Sequence, residues 1–401
     1  MKAPKNILII TYWSYTDALI QTYTLPYARL ILKALPTGSK IFLLTLDKDA
    51  FAKEQMTGDE SIINISVAYQ SFGIGGILMW MKTMLKLLGI IKREKISTLH
   101  AWCTPAGMIA YMLAMLTRRE LIIDSYEPHA EAMVENGTWK KDSFAFKLLF
   151  RFEKLQTRKA KCLIAAASGM KEYAKEKYNH TKDNMFVKPA CVDLDLFSYG
   201  NVKNKKLLEE LNLVDKIVCV YAGKFGGIYL EDEVFSFFKT AETYWGNRFK
   251  VLVLSSHSSS EISKLATKAH LKEDTVIHRY VSHHQIPDYM GLADFAVTPV
   301  KSVPSKRFCS PIKDGEYWAL GIPVVITKNI SDDSEIIAKS ETGSVIENMN
   351  EESYLKSIQE IDILLQNNSR EQLYNKIRPL SEKYRNFEIA NKIYRSIYGN
   401  A

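Results

Sequence analysis

The sequence predicts an α/β protein made of two doubly wound domains, each a parallel sheet covered by helices on both faces. Three observations carry this reading. The chain has 401 residues, too many for one ordinary core and about right for two domains of ~200. Short β-rich runs alternate with helical stretches along its whole length, which is the pattern of parallel strands joined by crossover helices. A composition of 47% hydrophobic and 24% charged residues is that of a globular chain.

The expected strands of the first half are Ile7–Thr11, Ile41–Leu46, Ile63–Ala68, Thr98–Trp102, Leu121–Asp124 and Cys162–Ala166. Those of the second half are Ile217–Tyr221, Val251–Ser255, Val276–His278, Phe295–Thr298, Val324–Thr327 and Ser344–Ile346. The polar stretch Asp193–Leu207 lies between the two sets and reads as a linker. The expected domains are therefore residues 1–195 and 196–378. A last helical segment, residues 379–401, carries apolar Phe387, Ile389, Ile393, Ile397 and Tyr398 near one face and is free to return to the first domain. Ligands of such sheets sit at the carboxyl ends of strands, where strand order reverses. Two such domains facing each other leave a cleft, a usual place for a ligand.

Charge is uneven. Residues 1–195 hold 27 Lys and Arg against 19 Asp and Glu; the whole chain holds 53 against 45, which leaves 26 of each sign for the rest. A basic half can meet an anionic small molecule, anionic lipid or nucleic acid, though solvated helix faces produce the same count. No nucleic-acid module is recognisable, and none is expected as a partner. Five scattered cysteines, Cys103, Cys162, Cys191, Cys219 and Cys309, fit a reducing compartment rather than a disulfide framework or zinc site. Met1–Asn6 leads directly into the short run Ile7–Ile10, too brief for a signal-peptide core. A cytoplasmic location is expected. Gly73-Ile74-Gly75-Gly76 lacks the third glycine and the leading strand of a dinucleotide fingerprint, and no Gly-x4-Gly-Lys-Ser/Thr loop is present. His283-His284 has no second pair at zinc spacing and reads as a helix start. No metal and no cofactor are expected.

Two stretches point to phosphate chemistry. In "SPIKDGEYWALGIPVV" (Ser310–Val325), Ser310 reads as an N-cap and Pro311 as the first helical residue. Gly321 suits the position after the helix, and a strand follows. Lys313 then falls in the first turn, where the helix dipole disfavours a cation; a bound anion explains it, with Asp314 beside it only softening the cost. The helix start offers backbone N–H groups to that anion. Glu316 shares a face with Lys313, and a carboxylate can accept from both hydroxyls of a cis-diol. A diphosphate next to a ribose fits the pair; an exposed Lys–Glu pair worth a few tenths of a kcal/mol is the bland alternative. In "VYAGKFGGIYLEDE", Gly223 and Lys224 turn the chain after the first strand of the second domain, where a glycine allows close backbone approach to a phosphate; a plain turn before a helix whose Glu231, Asp232 and Glu233 satisfy the dipole is the alternative.

These stretches resemble family-4-type glycosyltransferases of the GT-B fold. "SPIKDGEYWALGIPVV" resembles their donor-site helix, and "YAGKFGG" (Tyr221–Gly227) the first strand-turn of their nucleotide domain. "KPACVDLDLF" (Lys188–Phe197) resembles the close of their first domain, and "LIAAASGMKEY" (Leu163–Tyr173) the strand and helix before it. The resemblance implies two facing Rossmann-like domains, with a nucleotide-sugar donor on the second and an acceptor on the first. It also implies transfer with retention and no required metal. Glu316 aligns with the second acid of the family's Glu-x7-Glu motif and would hold the ribose; Lys313 and Lys224 match the basic positions at the diphosphate. Phe308 occupies the place of the first acid, with Arg307 beside it. The expected donor set is Gly223, Lys224, Arg307, Ser310, Pro311, Lys313 and Glu316.

The first-domain loop "TYWSYTDALIQTYTLPY" lacks the family's glycines. Tyr12, Ser14, Tyr15 and Asp17 are candidates for an acceptor pocket, with an aromatic packing loop the alternative. In "IIDSYEPHAEAMVENGTW", His129 follows a strand end. The family carries a histidine in this region that contacts the donor sugar, so His129 joins Lys224 and Lys313 as the expected catalytic groups, and Glu127 joins the acceptor set. Finally, "FGIGGILMWMKTMLKLLGIIKREK" is almost long enough to span a bilayer but is interrupted by Lys82 and Lys86, which share a helical stripe with Arg93. It suits a helix lying on an anionic membrane surface, or else a buried helix of the first domain.

The expected activity is transfer of a sugar from a nucleoside diphosphate sugar to a hydroxyl of a glycan or lipid-linked glycan, on the cytoplasmic side and at the membrane surface. A nucleotide-sugar 2-epimerase of the same fold and a non-catalytic nucleotide-sugar-binding protein are the alternatives.

Overall fold

A computed structural model describes residues 3–17, 19–47, 59–69 and 74–399. Gly73 of the glycine-rich stretch lies outside them. The chain divides into two compact units: residues 1–189 with 388–401, and residues 190–387.

The first unit contains β1 (Asn6–Ile10), α1 (Leu25–Ala34), β2 (Ile41–Asp47), β3 (Ile62–Ala68), α2 (Ile74–Arg93), β4 (Ile96–Trp102), α3 (Thr104–Thr117) and β5 (Glu120–Tyr126). It continues with α4 (His129–Glu135), α5 (Phe144–Lys159), β6 (Cys162–Ala165), α6 (Met170–Tyr178) and β7 (Met185–Val187). The second unit contains α7 (Lys205–Glu210), β8 (Ile217–Ala222), α8 (Asp232–Trp245), β9 (Phe249–Leu254), α9 (Ser259–Lys268), β10 (Val276–Arg279) and α10 (Ile286–Met290). Then come β11 (Phe295–Thr298), α11 (Ile312–Ala319), β12 (Val324–Thr327), α12 (Asp333–Ser340), β13 (Gly343–Ile346), α13 (Glu351–Asn367) and α14 (Arg370–Tyr384). The last helix, α15 (Phe387–Tyr398), belongs almost wholly to the first unit.

Both sheets are parallel throughout, in the orders β3-β2-β1-β4-β5-β6-β7 and β10-β9-β8-β11-β12-β13. All twelve strands read from the sequence are present. The continuous apolar runs of the central strands have a direct cause: helices cover both faces of a parallel sheet, so those positions are buried. Ile7 to Ile10 are fully buried, as is the whole of β2. β7 was not foreseen. It is an edge strand of three residues, pairing Met185 with Leu163, and too short to leave a periodic signal. Strand order reverses between β1 and β4 and between β8 and β11. Those are the points where a ligand site is expected.

The unit boundary lies at Pro189–Ala190 rather than within Asp193–Leu207. Apolar anchors hidden in that polar stretch draw it into the second unit: Phe197 is buried with Val192, and Leu194 and Leu196 pack against the same core. Asp193 Oδ1 accepts from the amides of Asp195 and Leu196 at 3.0 Å each, closing a local turn. Likewise α14 stays with the second unit, so the return crossing falls at Phe387–Glu388 rather than at residue 379.

In the first unit α15 is held by a buried polar cluster. Tyr394 Oη donates to Asp124 Oδ2 at 2.7 Å, and Tyr398 Oη lies 2.6 Å from His100 Nδ1. Lys188 Nζ lies 3.3 Å from Asp124 Oδ1 and 3.6 Å from the centre of the Tyr27 ring. Burial raises the Asp124 carboxyl, but Lys188, His100 and Tyr394 more than reverse this, bringing it down to about 2.

Candidate functional site

In the second unit, the turn after β8 and the start of α11 come together. Gly223 has φ +143°, in the region that favours glycine. A Cβ at this position would lie 2.5 Å from Lys313 Nζ and 2.6 Å from its Cε, so the lysine side chain runs directly across the glycine backbone. Its ammonium rests 4.1 Å from the centre of the Tyr229 ring and 5.3 Å from that of Tyr221. A cation over aromatic faces gains about 0.5–2 kcal/mol. This contact offsets the unfavourable dipole that the position in the helix imposes.

The neighbouring carboxylate does not offset it. Successive helical side chains point about 100° apart, and Asp314 turns inward, fully buried. It accepts from Thr298 Oγ1, and its carboxyl is held well above the usual range by burial and then by Asp333. Burial thus favours its uncharged form and weakens it as a countercharge for Lys313. Glu316 is half-buried one turn further on. Burial pushes its carboxyl up to about 7, with Lys313 pulling the other way.

The glycine turn is fixed from behind. Tyr221 Oη donates to the carbonyl of Lys224. The Phe225 amide donates to His257 Nε2 at 3.0 Å, and the Phe225 ring stacks on Tyr221 at 4.4 Å. The next residues pair with the extension of β11: Leu230 N donates to Pro299 O at 2.7 Å and Lys301 N to Ile228 O at 2.9 Å. Lys224 itself is exposed, and Arg307 is exposed on the turn Pro304–Phe308.

Ser310 does not cap the helix. α11 starts one residue later than expected, with Pro311 in the cap position at φ −63° and ψ 116°. The Ser310 hydroxyl is turned to the chain crossing instead, accepting from Ala190 N at 3.0 Å and from Arg385 Nη1. Arg385 also pairs with Asp333 and donates to Ala190 O at 3.3 Å. The far end of α11 ends as expected on Gly321, at φ +66°. Its final carbonyls are capped by cations: Arg378 Nη1 donates to Ala319 O at 2.9 Å, while Arg370 donates to Leu320 O at 2.6 Å and to Gly321 O. Positive charge there complements the dipole. Three arginines at or just beyond α14 thus hold both ends of the helix that carries Lys313 and Glu316.

In the first unit, the loops after β1, β4 and β5 gather Tyr12, Cys103, Glu127 and His129. Tyr12 is half-buried with its ring 5.0 Å from Trp13. Burial pushes its hydroxyl up, with the nearby Cys103 and Glu127 adding to the shift. His129 opens α4, and its Nδ1 lies 3.9 Å from Glu127 Oε1. That nitrogen is buried without a hydrogen bond. Beneath it, the buried Glu153 accepts from Ala130 N at 2.9 Å, Thr104 Oγ1 at 3.2 Å and Tyr178 Oη at 2.9 Å, which fixes the start of α4. Burial lifts Glu153 to about 7.

Ser14 and Tyr15 are differently engaged. Ser14 Oγ and the Tyr15 amide both donate to Asp47 Oδ1, at 2.7 and 2.8 Å, and Tyr15 is buried. Their polar groups tie the loop to the end of β2. Asp17 is exposed and accepts from Leu19 N at 2.9 Å. The residues that sequence reasoning missed are Tyr229, His257, Asp333 and Arg385 in the second unit and Glu153 in the first. All but Tyr229 act through other residues, so nothing in a local motif marks them.

Residues 205–379 match the family described as glycosyl transferases group 1. That match lies within the second unit, and the whole chain has the GT-B fold. Sucrose-phosphate synthase from Thermosynechococcus elongatus superposes with a TM-score of 0.76 at 15% identity, covering 98% of this chain and 99% of that one. HepE of Anabaena, solved with UDP and glucose, gives 0.73 at 14% identity over 98% and 99%. WaaG, a glycosyltransferase involved in lipopolysaccharide biosynthesis, gives 0.71 at 12% identity over 98% and 100%. No curated protein matches the chain. Among the described residues, no helix is long and apolar enough to cross a membrane.

Proposed function

We propose that this protein transfers a sugar from a nucleoside diphosphate sugar to a hydroxyl of a glycan or lipid-linked glycan, with retention and without a metal, in the cytoplasm. The observation that carries the reading is Lys313 lying across Gly223 at the end of β8, with Glu316 one turn away. A fixed cation beside a half-buried glycine backbone suits a diphosphate, and a half-buried carboxylate next to it suits the ribose hydroxyls. As the bond from the anomeric carbon to the phosphate oxygen breaks, negative charge grows on the diphosphate. Lys313, the α11 N-terminus and Lys224 stabilise it there, which is the role a metal would otherwise fill. The acceptor oxygen bonds to the anomeric carbon on the face the phosphate leaves, and its proton passes to the departing phosphate. His129 hydrogen-bonds a hydroxyl of the donor sugar, and Tyr12 and Glu127 contact the acceptor.

Calorimetry with UDP, GDP and their sugar conjugates in EDTA tests the site, with Lys313→Ala and Glu316→Ala run beside wild type. One nucleotide should bind, and both variants should weaken it. Phe308, in place of the motif acid, favours a non-catalytic binding protein as the second reading. An acceptor panel separates the readings, since transfer, epimerised donor or unchanged donor each identifies one of them.

A further inference from the structure

Helix α2 has a covered side and an uncovered one. Met79, Thr83, Leu87, Ile90 and Ile91 are buried. On the opposite side Leu78, Met81 and Leu85 are 51%, 59% and 70% exposed, alternating with exposed Lys82 and Lys86 and, at the helix end, Lys92. Steps of three and four residues place all six on one stripe. Residues 61–93 contain no Asp or Glu. α3, which packs beside α2, ends with Met115 and Leu116 exposed at 53% and 67%, followed by exposed Arg118 and Arg119. The acids nearest these ends are already paired, Glu94 with Arg93 and Glu120 with Lys161.

Long apolar side chains held in water on a well-packed helix are unfavourable without an occupant. The lysines among them decide which occupant. A second copy of this chain would set basic row against basic row. A bilayer with anionic headgroups accepts both features at once: apolar side chains enter the headgroup–acyl boundary while ammonium groups meet phosphates. We infer that α2, with the end of α3, is the surface by which this protein lies on an anionic membrane, Leu78, Met81 and Leu85 entering and Lys82, Lys86 and Lys92 at the headgroups. The inference goes beyond the reading of the donor site and does not depend on which sugar moves.

Flotation of the full chain with vesicles tests it, comparing pure phosphatidylcholine with phosphatidylcholine containing about 30% phosphatidylglycerol, at about 0.15 M salt. Wild type should float only with the anionic vesicles. Lys82→Glu/Lys86→Glu should weaken this about tenfold or more, and Met81→Ser/Leu85→Ser about tenfold. All four positions are exposed, so unchanged melting and nucleotide binding show that the fold and the donor site survive. The inference is overturned if wild type stays with neither vesicle, or if either double variant floats as wild type does. It is also overturned if light scattering shows a dimer that Met81→Ser/Leu85→Ser dissolves, which would assign the stripe to a second copy.

Discussion

Lys313 and Gly223 occupy one another's space: the lysine's terminal atoms lie where a side chain on residue 223 would begin. Gly223→Ala should therefore displace the ammonium and strain a backbone at φ +143°. We expect nucleotide-sugar affinity to fall about tenfold to a hundredfold, the range of one charge-assisted hydrogen bond, with some loss of melting temperature. Lys313→Ala should give the same loss of affinity without the strain. Calorimetry and thermal melts on the two variants check this; equal melting of Gly223→Ala and wild type would speak against the crossing.

Glu316 supplies a pH dependence. Its carboxyl sits at about 7 in the free protein, and only the ionised form accepts from two hydroxyls. Donor affinity should therefore fall as pH drops below about 7, approaching tenfold per unit once the acid form dominates. Glu316→Gln should bind more weakly at pH 8 and lose that dependence. The sugar conjugate is the right probe, since a free nucleotide's terminal phosphate titrates near pH 6. A pH-independent dissociation constant for wild type would remove Glu316 from the ribose.

The Asp314–Asp333–Arg385 cluster predicts two unequal losses. Arg385→Ala strands a buried Asp333 and frees Ser310, so it should cost about 3–5 kcal/mol in denaturant unfolding. Asp314→Asn replaces an acid whose uncharged form burial favours and should cost under about 1.5 kcal/mol. Because Asp314 is raised in the folded state, that state binds more protons than the unfolded chain above the ordinary carboxylate value. Its contribution to stability is thus full at low pH and is lost as pH rises through that region. Asp314→Asn should flatten this slope above the ordinary carboxylate range, as urea midpoints would show.

Tyr12 and Ser14 should separate acceptor binding from loop structure. Ser14 is committed to Asp47, so Ser14→Ala should lower stability by about 1 kcal/mol and leave the acceptor KM near wild type. Tyr12→Ala should raise that KM with the donor constant unchanged. Steady-state kinetics with varied acceptor check both, and the opposite ranking would return Ser14 to the pocket.

Much of this was legible in local sequence. Twelve β-rich runs became twelve strands, most clearly β1 and β2, whose Ile- and Leu-rich runs are buried on both faces. Helix α11 was visible in Pro311, Gly321 and Pro323, and so was its oddity, a lysine in the first turn. Ser310 shows the limit. A serine before a proline-led helix satisfies every local rule for a cap, yet its hydroxyl answers a guanidinium 75 residues away. Asp314 shows it again, since charge depends on burial and no neighbour in sequence reveals burial.

By itself the sequence determined the class of fold and the order of strands along the chain. Periodicity, caps and residue chemistry act over a few residues, so they are readable there. Tertiary structure alone decided the rest. It placed Lys313 on Gly223 ninety residues distant, buried Asp314 and turned Ser310 to Arg385. It also left the Leu78–Lys86 stripe of α2 uncovered. Each of these depends on what packs against a side chain across the fold, and distance along the chain carries no record of that.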